Sequence, residues 1–371
     1  MNLAGMRLLL TTDAVGGVWQ YSLELAGSLA TRGVRVILLV LGPPPTAAQR
    51  LEARVIRGVK LIETGLPLDW LSPGPDEVHA AGRAIAALAT EERADLVQLN
   101  MPTLGSGARF AAPVIAVTHG CVGTWWEAAE RRPLPPAFEW HRNAMAKGLS
   151  AADCVLAPSA SYAATVARYY GLAKAPIVVP NGRSPHPAPP GAPVQDSVLT
   201  VGRLWDRVKN AALLDRVAGR LAIPFHAAGA ITGPHGECTE LTHLHALGHL
   251  ETAALEHYLA TRPVFVSAAT FEPFGLAVLE AAAAGCALVL SDIATFRELW
   301  DDAAIFVPPL DDDAYLDAIE TIIGDTPLRQ RLGEDARKRA LRFTPERTAD
   351  RMMQVYASTL SNRTSKEQAA A

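Results

Sequence analysis

Short runs of leucine and β-branched residues alternate with longer helical stretches along this chain, and this alternation limits its fold more than any other feature. The run Val36 to Val40 is continuously apolar, which is typical of a parallel strand buried on both faces. Strands are predicted from Leu8 and at 36–40, 59–63, 95–100, 114–118, 154–157 and 177–180, and helices at 19–31, 76–92, 136–149 and 161–170. Repeated βα units of this kind predict a doubly wound parallel sheet.

The alternation is interrupted once, at 184–197, where five prolines predict a linker. It then resumes, with strands predicted at 198–201, 224–228, 245–248, 263–267, 287–291 and 304–307, and helices at 275–284, 312–324, 328–342 and 345–360. We therefore predict an α/β protein with Rossmann-like domains over 1–183 and 198–344. A long amphipathic helix is expected over 345–361, and a disordered polar tail over 362–371.

The composition of the chain argues against several classes of protein function. The chain has 371 residues and a net charge of -4, so it lacks the basic footprint of a nucleic-acid-binding protein. Its four cysteines show no CxxC spacing, so neither a disulfide framework nor a cysteine metal site is expected, and a reducing cytoplasm is favoured. No HxE or DxD set indicates a metal, and Met1 to Met6 do not resemble the start of a signal peptide.

The stretch that carries most chemistry joins a predicted strand to the predicted helix at 275–284. Pro273 suits the first turn of that helix, so the N–H groups from Phe274 to Ala277 would point at a ligand and form an anion site. Glu272 precedes these amides, and Glu280 leans back toward them because helical side chains point to the N-terminus. One carboxylate would take ribose hydroxyls, and the other would face a sugar. The alternative is a βα junction with two solvated glutamates.

Two cations follow the first strand of the second predicted domain, in the run Val201-Gly202-Arg203-Leu204-Trp205-Asp206-Arg207-Val208-Lys209-Asn210. Arg203 would leave the end of the strand and Lys209 would open the next helix. Both would lie where a diphosphate can accept charge-assisted hydrogen bonds. Surface cations are common, so Arg203 and Lys209 could instead be solvated side chains without a role in binding. No role is assigned to Arg207.

The first predicted domain offers two features at the ends of strands. Gly16 and Gly17 lie between the first strand and the first helix, where glycine permits close approach to a ligand. The GxGxxG fingerprint of dinucleotide-binding proteins is absent, so a plain tight turn fits equally well. His119 follows the strand at 114–118, on the side where α/β proteins bind ligands, although a structural histidine is the alternative.

The motif Glu272-Pro273-Phe274-Gly275, with Glu280 five residues after the glycine, resembles the E-x-F-G-x-x-x-x-E signature of the retaining glycosyltransferases of family 4, also called group 1. The resemblance runs from Gly16 to Glu298. It implies the GT-B fold, in which two Rossmann-like domains face each other across a cleft and the last helix crosses back to the first domain. The first domain would then bind the acceptor and the second the nucleotide sugar.

The resemblance also implies roles for individual residues. The residues implied in catalysis are His119, Glu272, Arg203 and Lys209. Those implied in donor binding are Gly16, Gly17, Arg203, Lys209, His249, Leu250, Glu272, Phe274, Gly275, Leu276 and Glu280. Gly120 stands where the family often has Asp, and His249 fits a simple turn equally well. We expect Trp125, Trp126 and His141 to contact the acceptor, with helix packing as the alternative.

As a member of this family the protein would move a hexosyl unit from a nucleotide sugar to an acceptor hydroxyl. A UDP-sugar is favoured and GDP-mannose comes next, with no metal and no further cofactor. The acceptor would be a carbohydrate, a lipid-linked sugar or a small molecule, and peripheral contact with the inner membrane face is left open. Two alternatives remain, a sugar-nucleotide 2-epimerase of the same fold and a non-catalytic sugar-binding protein.

Overall fold

The computed structural model describes residues 3–130, 132–184 and 193–370. Most of the predicted linker, 185–192, lies outside the described residues, as does Ala371 at the end of the predicted tail. The chain divides into two compact units, the first comprising Met1–Glu127, Arg131–Gly182 and Pro345–Ala371, and the second comprising Ala128–Glu130 and Arg183–Thr344.

The strands form two parallel sheets, as the βα alternation predicts. In chain order the strands are β1 Arg7–Asp13, β2 Arg35–Leu41, β3 Val59–Glu63, β4 Leu96–Leu99, β5 Val114–Val117, β6 Cys154–Ala157, β7 Ile177–Val178, β8 Val198–Val201, β9 Phe225–Ala228, β10 His245–Gly248, β11 Val264–Ser267, β12 Leu288–Ser291 and β13 Ile305–Val307. The first sheet has the order β3-β2-β1-β4-β5-β6-β7 and the second the order β10-β9-β8-β11-β12-β13. Both contain the doubly wound order, whose switch points lie at β1/β4 and β8/β11.

The helices in chain order are α1 Gly17–Ala30, α2 Ala47–Arg54, α3 Pro75–Glu91, α4 Val122–Glu130, α5 Glu139–Ala151, α6 Ala160–Tyr170, α7 Ala211–Ala218, α8 Thr252–Ala260, α9 Leu276–Ala284, α10 Ala294–Trp300, α11 Asp312–Gly324, α12 Thr326–Ala340 and α13 Pro345–Ala370. Neither α2 nor α4 was predicted. Asp311 caps α11 by accepting a hydrogen bond from the Ala314 N–H at 3.0 Å, as expected for an N-cap.

Each sheet is buried on both faces. In β1, Leu8 and Leu10 face one core of the first unit, whereas Leu9 faces the other. This placement is why the predicted strands read as continuous apolar runs rather than as alternating ones.

The last helix, α13, belongs to the first unit and packs against α1. Its buried Met352 and Tyr356 share a core with Trp19, and Asp350 forms an ion pair with Arg32 at 2.6 Å. The prediction of a disordered tail from 362 is wrong, because α13 continues to Ala370. The segment contains neither glycine nor proline and ends in alanines, so nothing in it stops a helix that has already begun.

Candidate functional site

In the second unit, two of the predicted site residues meet at the switch point of the sheet. Lys209 follows β8 and Glu272 follows β11, and these strands are neighbours. The Lys209 Nζ lies 2.5 Å from Glu272 Oε2, with side-chain exposures of 21% and 17%. The carboxyl ends of strands at a switch point are where doubly wound sheets bind ligands. The ion pair between Lys209 and Glu272 was not predicted, and it brings two of the predicted site residues together at this edge of the sheet.

A short turn positions Lys209. Residues Arg207–Lys209 form a 3-10 turn that begins at Asp206, whose Oδ1 accepts from the Val208 N–H at 3.3 Å. The Val208 carbonyl in turn accepts from the Thr270 N–H at 2.8 Å, which ties this turn to the loop that leads to Glu272. Lys209 was predicted to open a helix, but Asn210 intervenes with a φ of 55° and α7 begins at Ala211.

Arg203 leaves the same strand and is 49% exposed. One guanidinium nitrogen donates to the buried Asp206 Oδ2 at 2.9 Å, and the guanidinium carbon lies 5.6 Å from the ring centre of Trp205. Asp206 thus both caps the turn that carries Lys209 and orients Arg203. This shared support holds both cations on one loop.

The start of α9 differs from the prediction. Pro273 and Phe274 lie ahead of the helix, and Gly275 is its N-cap with a φ of 92°, a conformation that side chains other than glycine rarely adopt. Helical hydrogen bonding begins with the Leu279 N–H donating to the Gly275 carbonyl at 3.1 Å. The amides that precede this bond are therefore those from Leu276 to Val278 rather than those from Phe274 to Ala277.

The side chain of Phe274 points into the protein core and is not exposed to a ligand. It is buried in the core of the second unit, where its ring packs edge-on against Phe343 with the ring centres 5.7 Å apart. Its predicted role in donor binding is thus limited to its backbone. The aromatic side chain instead anchors the loop that precedes α9.

Glu280 has a partner that the sequence analysis did not assign to the site. The Arg183 Nε donates to Glu280 Oε1 at 2.8 Å, and both side chains are largely buried. In the sequence, Arg183 marks only the end of the first predicted domain. The missing signal was its pairing with a glutamate distant in sequence, which no local pattern reveals.

His249 and Leu250, which the family resemblance implies in donor binding, follow β10. The carbonyl of Gly248 accepts from the Gly229 N–H at 2.7 Å, and Gly248 has a φ of 67°. Gly229 approaches Gly202 so closely that a Cβ on it would lie 1.7 Å from the Gly202 oxygen. The His249 side chain is exposed and Leu250 is half-buried. The close backbone contact therefore constrains this turn, whereas the imidazole of His249 is exposed to solvent.

In the first unit, Gly16 and Gly17 are exposed and lie at the start of α1, as predicted. The preceding Asp13 accepts from the Val15 N–H at 2.8 Å, which shapes the turn after β1. Helix α1 follows directly, so its first amides face the end of the strand.

His119 follows β5 and packs against Tyr21, with the ring centres 4.4 Å apart and the ring planes tilted by 60°. Its Nε2 lies 3.3 Å from the side-chain oxygen of Asn100, which follows β4. Burial lowers the pKa of His119 to about 4, so the ring is neutral at neutral pH. Asn100 was missed, although a polar residue at the end of the strand next to β1 satisfies the same rule that selected His119.

The predicted acceptor residues fall into two classes. Trp125 and Trp126 are half-buried on α4, with the guanidinium carbon of Arg132 5.1 Å from the Trp126 ring centre. His141 is only 2% exposed and its Nε2 lies 3.1 Å from Asp69 Oδ2, so its prediction as an acceptor contact is wrong. Helix α5 turns this histidine into the core of the first unit, where the buried carboxylate of Asp69 needs a partner.

Two further features, a metal site and a membrane-spanning helix, can be assessed in the described residues. No group of three or more His, Cys, Asp or Glu side chains among them is arranged to hold a metal ion. No helix in the described ranges combines the length and the apolar character needed to cross a membrane.

Comparison with known protein families gives two matches. Residues 15–186 match the model of Glycosyltransferase Family 4, and residues 237–339 match that of Glycosyl transferases group 1. Among curated proteins, a phosphatidyl-myo-inositol mannosyltransferase of Mycobacterium leprae is 24% identical and the match covers 93% of each chain. A glycogen synthase of Mycobacterium tuberculosis is 25% identical over 92% of this chain and 91% of its own.

Solved structures share the fold. A sucrose-phosphate synthase from Thermosynechococcus elongatus matches with a TM-score of 0.79 at 20% identity, covering 96% of this chain and all (100%) of its own. Anabaena HepE in complex with UDP-glucose matches with a TM-score of 0.74 at 17% identity, covering 95% of this chain and 100% of its own. With two parallel sheets and matches to both family models, this chain belongs to the family 4, group 1 glycosyltransferases of GT-B fold.

Proposed function

We propose that this glycosyltransferase moves a hexosyl unit from a nucleoside-diphosphate sugar to an acceptor hydroxyl and retains the anomeric configuration. The observation that carries the proposal is the Lys209–Glu272 pair at the β8/β11 switch point, ahead of the first amides of α9. A diphosphate matches this set, because its oxygens accept hydrogen bonds from ammonium, guanidinium and helix N-terminal amides alike.

Binding would proceed by exchange of partners. Glu272 neutralises Lys209, and Asp206 neutralises Arg203. A diphosphate carries more negative charge than either carboxylate, so it would take over both cations. Glu272 would then be released to accept a hydrogen bond from a hydroxyl of the transferred sugar. The same carboxylate thus serves the empty site and the occupied one.

The remaining donor contacts follow from the second unit. Glu280, held by Arg183, would accept hydrogen bonds from ribose hydroxyls, and the backbone at His249 and Leu250 would meet the base. Uracil is favoured because the similar HepE was solved with UDP-glucose, and a mannosyl donor such as GDP-mannose comes next because several relatives are mannosyltransferases. In the first unit, His119 would hydrogen-bond a sugar hydroxyl, and Gly16 and Gly17 would let the backbone approach a phosphate.

The reaction would follow a front-face course. The acceptor oxygen forms a bond to the anomeric carbon while the bond from that carbon to the diphosphate oxygen breaks, and the electron pair leaves with the diphosphate. The departing phosphate oxygen takes the proton of the acceptor hydroxyl. Arg203, Lys209 and the α9 amides stabilise the charge that develops on the leaving group, in place of a metal ion.

The test is a donor panel of UDP-glucose, UDP-galactose and GDP-mannose with sugar, glycolipid and small-molecule acceptors, followed by NMR of the earliest product. We expect nucleotide release that depends on acceptor, a retained anomer, and activity in EDTA. An inverted anomer would contradict the retaining mechanism, and activity restored only by a divalent ion would contradict metal independence. A nucleotide sugar epimerised at C2 without acceptor would indicate the epimerase, and binding without turnover would indicate a sugar-binding protein.

A further inference from the structure

A continuous series of hydrogen bonds in the first unit leads from His119 to the last helix. His119 contacts Asn100, and Asn100 Oδ1 accepts from Gln98 Nε2 at 3.1 Å. On its other side, Gln98 Oε1 accepts from the Tyr356 hydroxyl at 2.6 Å. Gln98 and Tyr356 are completely buried, and they lie 258 residues apart in the sequence. A buried series of this kind needs a reason, because apolar side chains would fill the same space without any polar group to satisfy.

The direction of every bond in the series is fixed. The side-chain amide of Asn100 donates to the Thr11 carbonyl at 2.9 Å and to Ser22 Oγ at 3.1 Å. A carbonyl oxygen only accepts, so the amide nitrogen of Asn100 must face Thr11 and its oxygen must face His119. That oxygen also only accepts, so His119 Nε2 must carry a hydrogen.

The other ring nitrogen is then determined. Burial keeps the His119 ring neutral, so with a hydrogen on Nε2 the Nδ1 atom is left with a lone pair. Nδ1 makes no hydrogen bond to any residue in the described ranges, whereas Tyr21 packs against the ring and limits its rotation. The ring therefore presents a hydrogen-bond acceptor in one orientation.

We propose that Asn100, Gln98 and Tyr356 are positioning residues that hold His119 as its Nε2–H tautomer, so that Nδ1 accepts a hydrogen bond from a hydroxyl group of the sugar substrate. Asn100 sets the tautomer, and helix α13, which supplies Tyr356, holds Gln98 in place beside Asn100. The choice of ligand rests on the proposed sugar transfer, but the tautomer itself does not. A substrate group that can only accept hydrogen bonds would be rejected at this position.

The tautomer is read directly by long-range ¹H–¹⁵N correlation NMR on full-length protein labelled at histidine nitrogens. The protein has 10 histidines, and His119 is assigned by the signal that His119→Gln removes. We expect a protonated Nε2 and an unprotonated Nδ1 at pH 7. A protonated Nδ1, or rapid averaging between the tautomers, would overturn the proposal whatever the protein catalyses.

The role of the last helix is tested by Tyr356→Phe, with Tyr258→Phe as its matched control. The Tyr258 hydroxyl makes no hydrogen bond within the described part of the chain, so its removal should change neither spectrum nor activity. Tyr356→Phe leaves Gln98 Oε1 unpaired and loosens the hold of Gln98 on Asn100. The His119 nitrogen signals should therefore shift or broaden although the Nε2–H tautomer is kept, and kcat should fall about 2- to 10-fold, the effect of one neutral hydrogen bond, with the donor KM unchanged.

The outcomes separate the inference from the proposed function. Unchanged His119 signals and kcat in a folded Tyr356→Phe variant would show that α13 does not help to position His119. If Tyr356→Phe does not fold, the wild-type spectrum still decides the tautomer. If no sugar transfer is found for any donor but the tautomer is as expected, the proposed function fails and the positioning assignment stands.

Discussion

In the second unit the candidate binding groups are charged and form ion pairs, whereas in the first unit they are neutral and joined in a series of hydrogen bonds. Lys209, Arg203 and Glu280 form ion pairs with Glu272, Asp206 and Arg183, respectively. His119, Asn100 and Gln98 share hydrogen bonds whose directions are fixed. Ion pairs can exchange a carboxylate for a phosphate, whereas a fixed series of hydrogen bonds sets an orientation.

This difference predicts how each unit responds to change. Removing a charge from the second unit should weaken binding of an anionic ligand in proportion to the charge lost. Removing a member of the first unit's series should leave binding of the nucleotide intact and disturb orientation, which affects kcat. The following substitutions test that division from the largest expected effect to the smallest.

Lys209→Ala should give the largest effect. Loss of one hydrogen bond to a charged diphosphate costs roughly 1.5–3 kcal/mol of transition-state stabilisation, so kcat/KM should fall about 10- to 150-fold. Steady-state kinetics with the active donor measures it. The control is Lys338→Ala, since Lys338 also pairs with a carboxylate but is 71% exposed on α12. Equal effects of the two substitutions would show that the diphosphate does not bind at Lys209.

Arg203→Ala should act in the same direction but less strongly. The Arg203 side chain is 49% exposed, so solvent screens its charge more than that of Lys209. We expect the loss in kcat/KM to diminish at high salt, when the charge is screened in wild type as well. A larger loss than that of Lys209→Ala would reverse the proposed ranking of the two cations.

His119→Ala should lower kcat about 2- to 10-fold, the range for one neutral hydrogen bond, while the donor KM changes little. His119→Gln serves as the control, because its amide retains both a donor and an acceptor. Parallel changes in kcat and in nucleotide affinity would mean that His119 supports the fold rather than the sugar.

Glu280→Gln should raise the donor KM about 5-fold, by roughly 1 kcal/mol, with little change in kcat because the ribose does not react. The substitution also weakens the ion pair with Arg183. A double-mutant cycle with Arg183→Met therefore separates loss of a ribose contact from loss of this ion pair. If the double variant binds donor as the Arg183→Met variant does, Glu280 acts through Arg183 and not on the ribose.

The smallest effect concerns pH. Burial disfavours the charged imidazolium and lowers the pKa of His119 from 6.5 to about 4. His119 should therefore stay neutral from about pH 5.5 to 8, and its titration should add no limb to the kcat profile in that range. Profiles of wild type and His119→Gln should have the same shape, and a limb near pH 6.5 that only wild type shows would contradict the neutral ring.

The sequence predicts features that depend on neighbouring residues, but it does not predict contacts between residues that are far apart in the chain. The sheets follow from apolar runs such as Val36 to Val40, which report burial on both faces within a few residues. The pairs Arg183–Glu280 and Tyr356–Gln98 do not follow, because each joins residues from distant parts of the chain. His141 shows the converse. Its place in the same segment as Trp125 and Trp126 suggested a sugar contact, whereas Asp69 holds it in the core.

The conformation of residues at helix ends explains why the predicted start of α9 and the predicted end of α13 were wrong. Pro273 is a suitable first-turn residue, yet Gly275 adopts the left-handed conformation that ends the loop, and α9 starts after it. The predicted anion site would still lie at the same end of the helix, ahead of the amides from Leu276 to Val278. The continuation of α13 to Ala370 reflects the absence of a stop signal, which a count of polar residues alone does not register.

The division between the two units is tested most directly by calorimetric titration of UDP and of GDP into wild type, Lys209→Ala and His119→Ala. The account predicts that one nucleotide binds wild type, that Lys209→Ala weakens its affinity about 10-fold or more, and that His119→Ala leaves it nearly unchanged. Affinity lost in His119→Ala but kept in Lys209→Ala would contradict the assignment of the nucleotide to the charged set of the second unit.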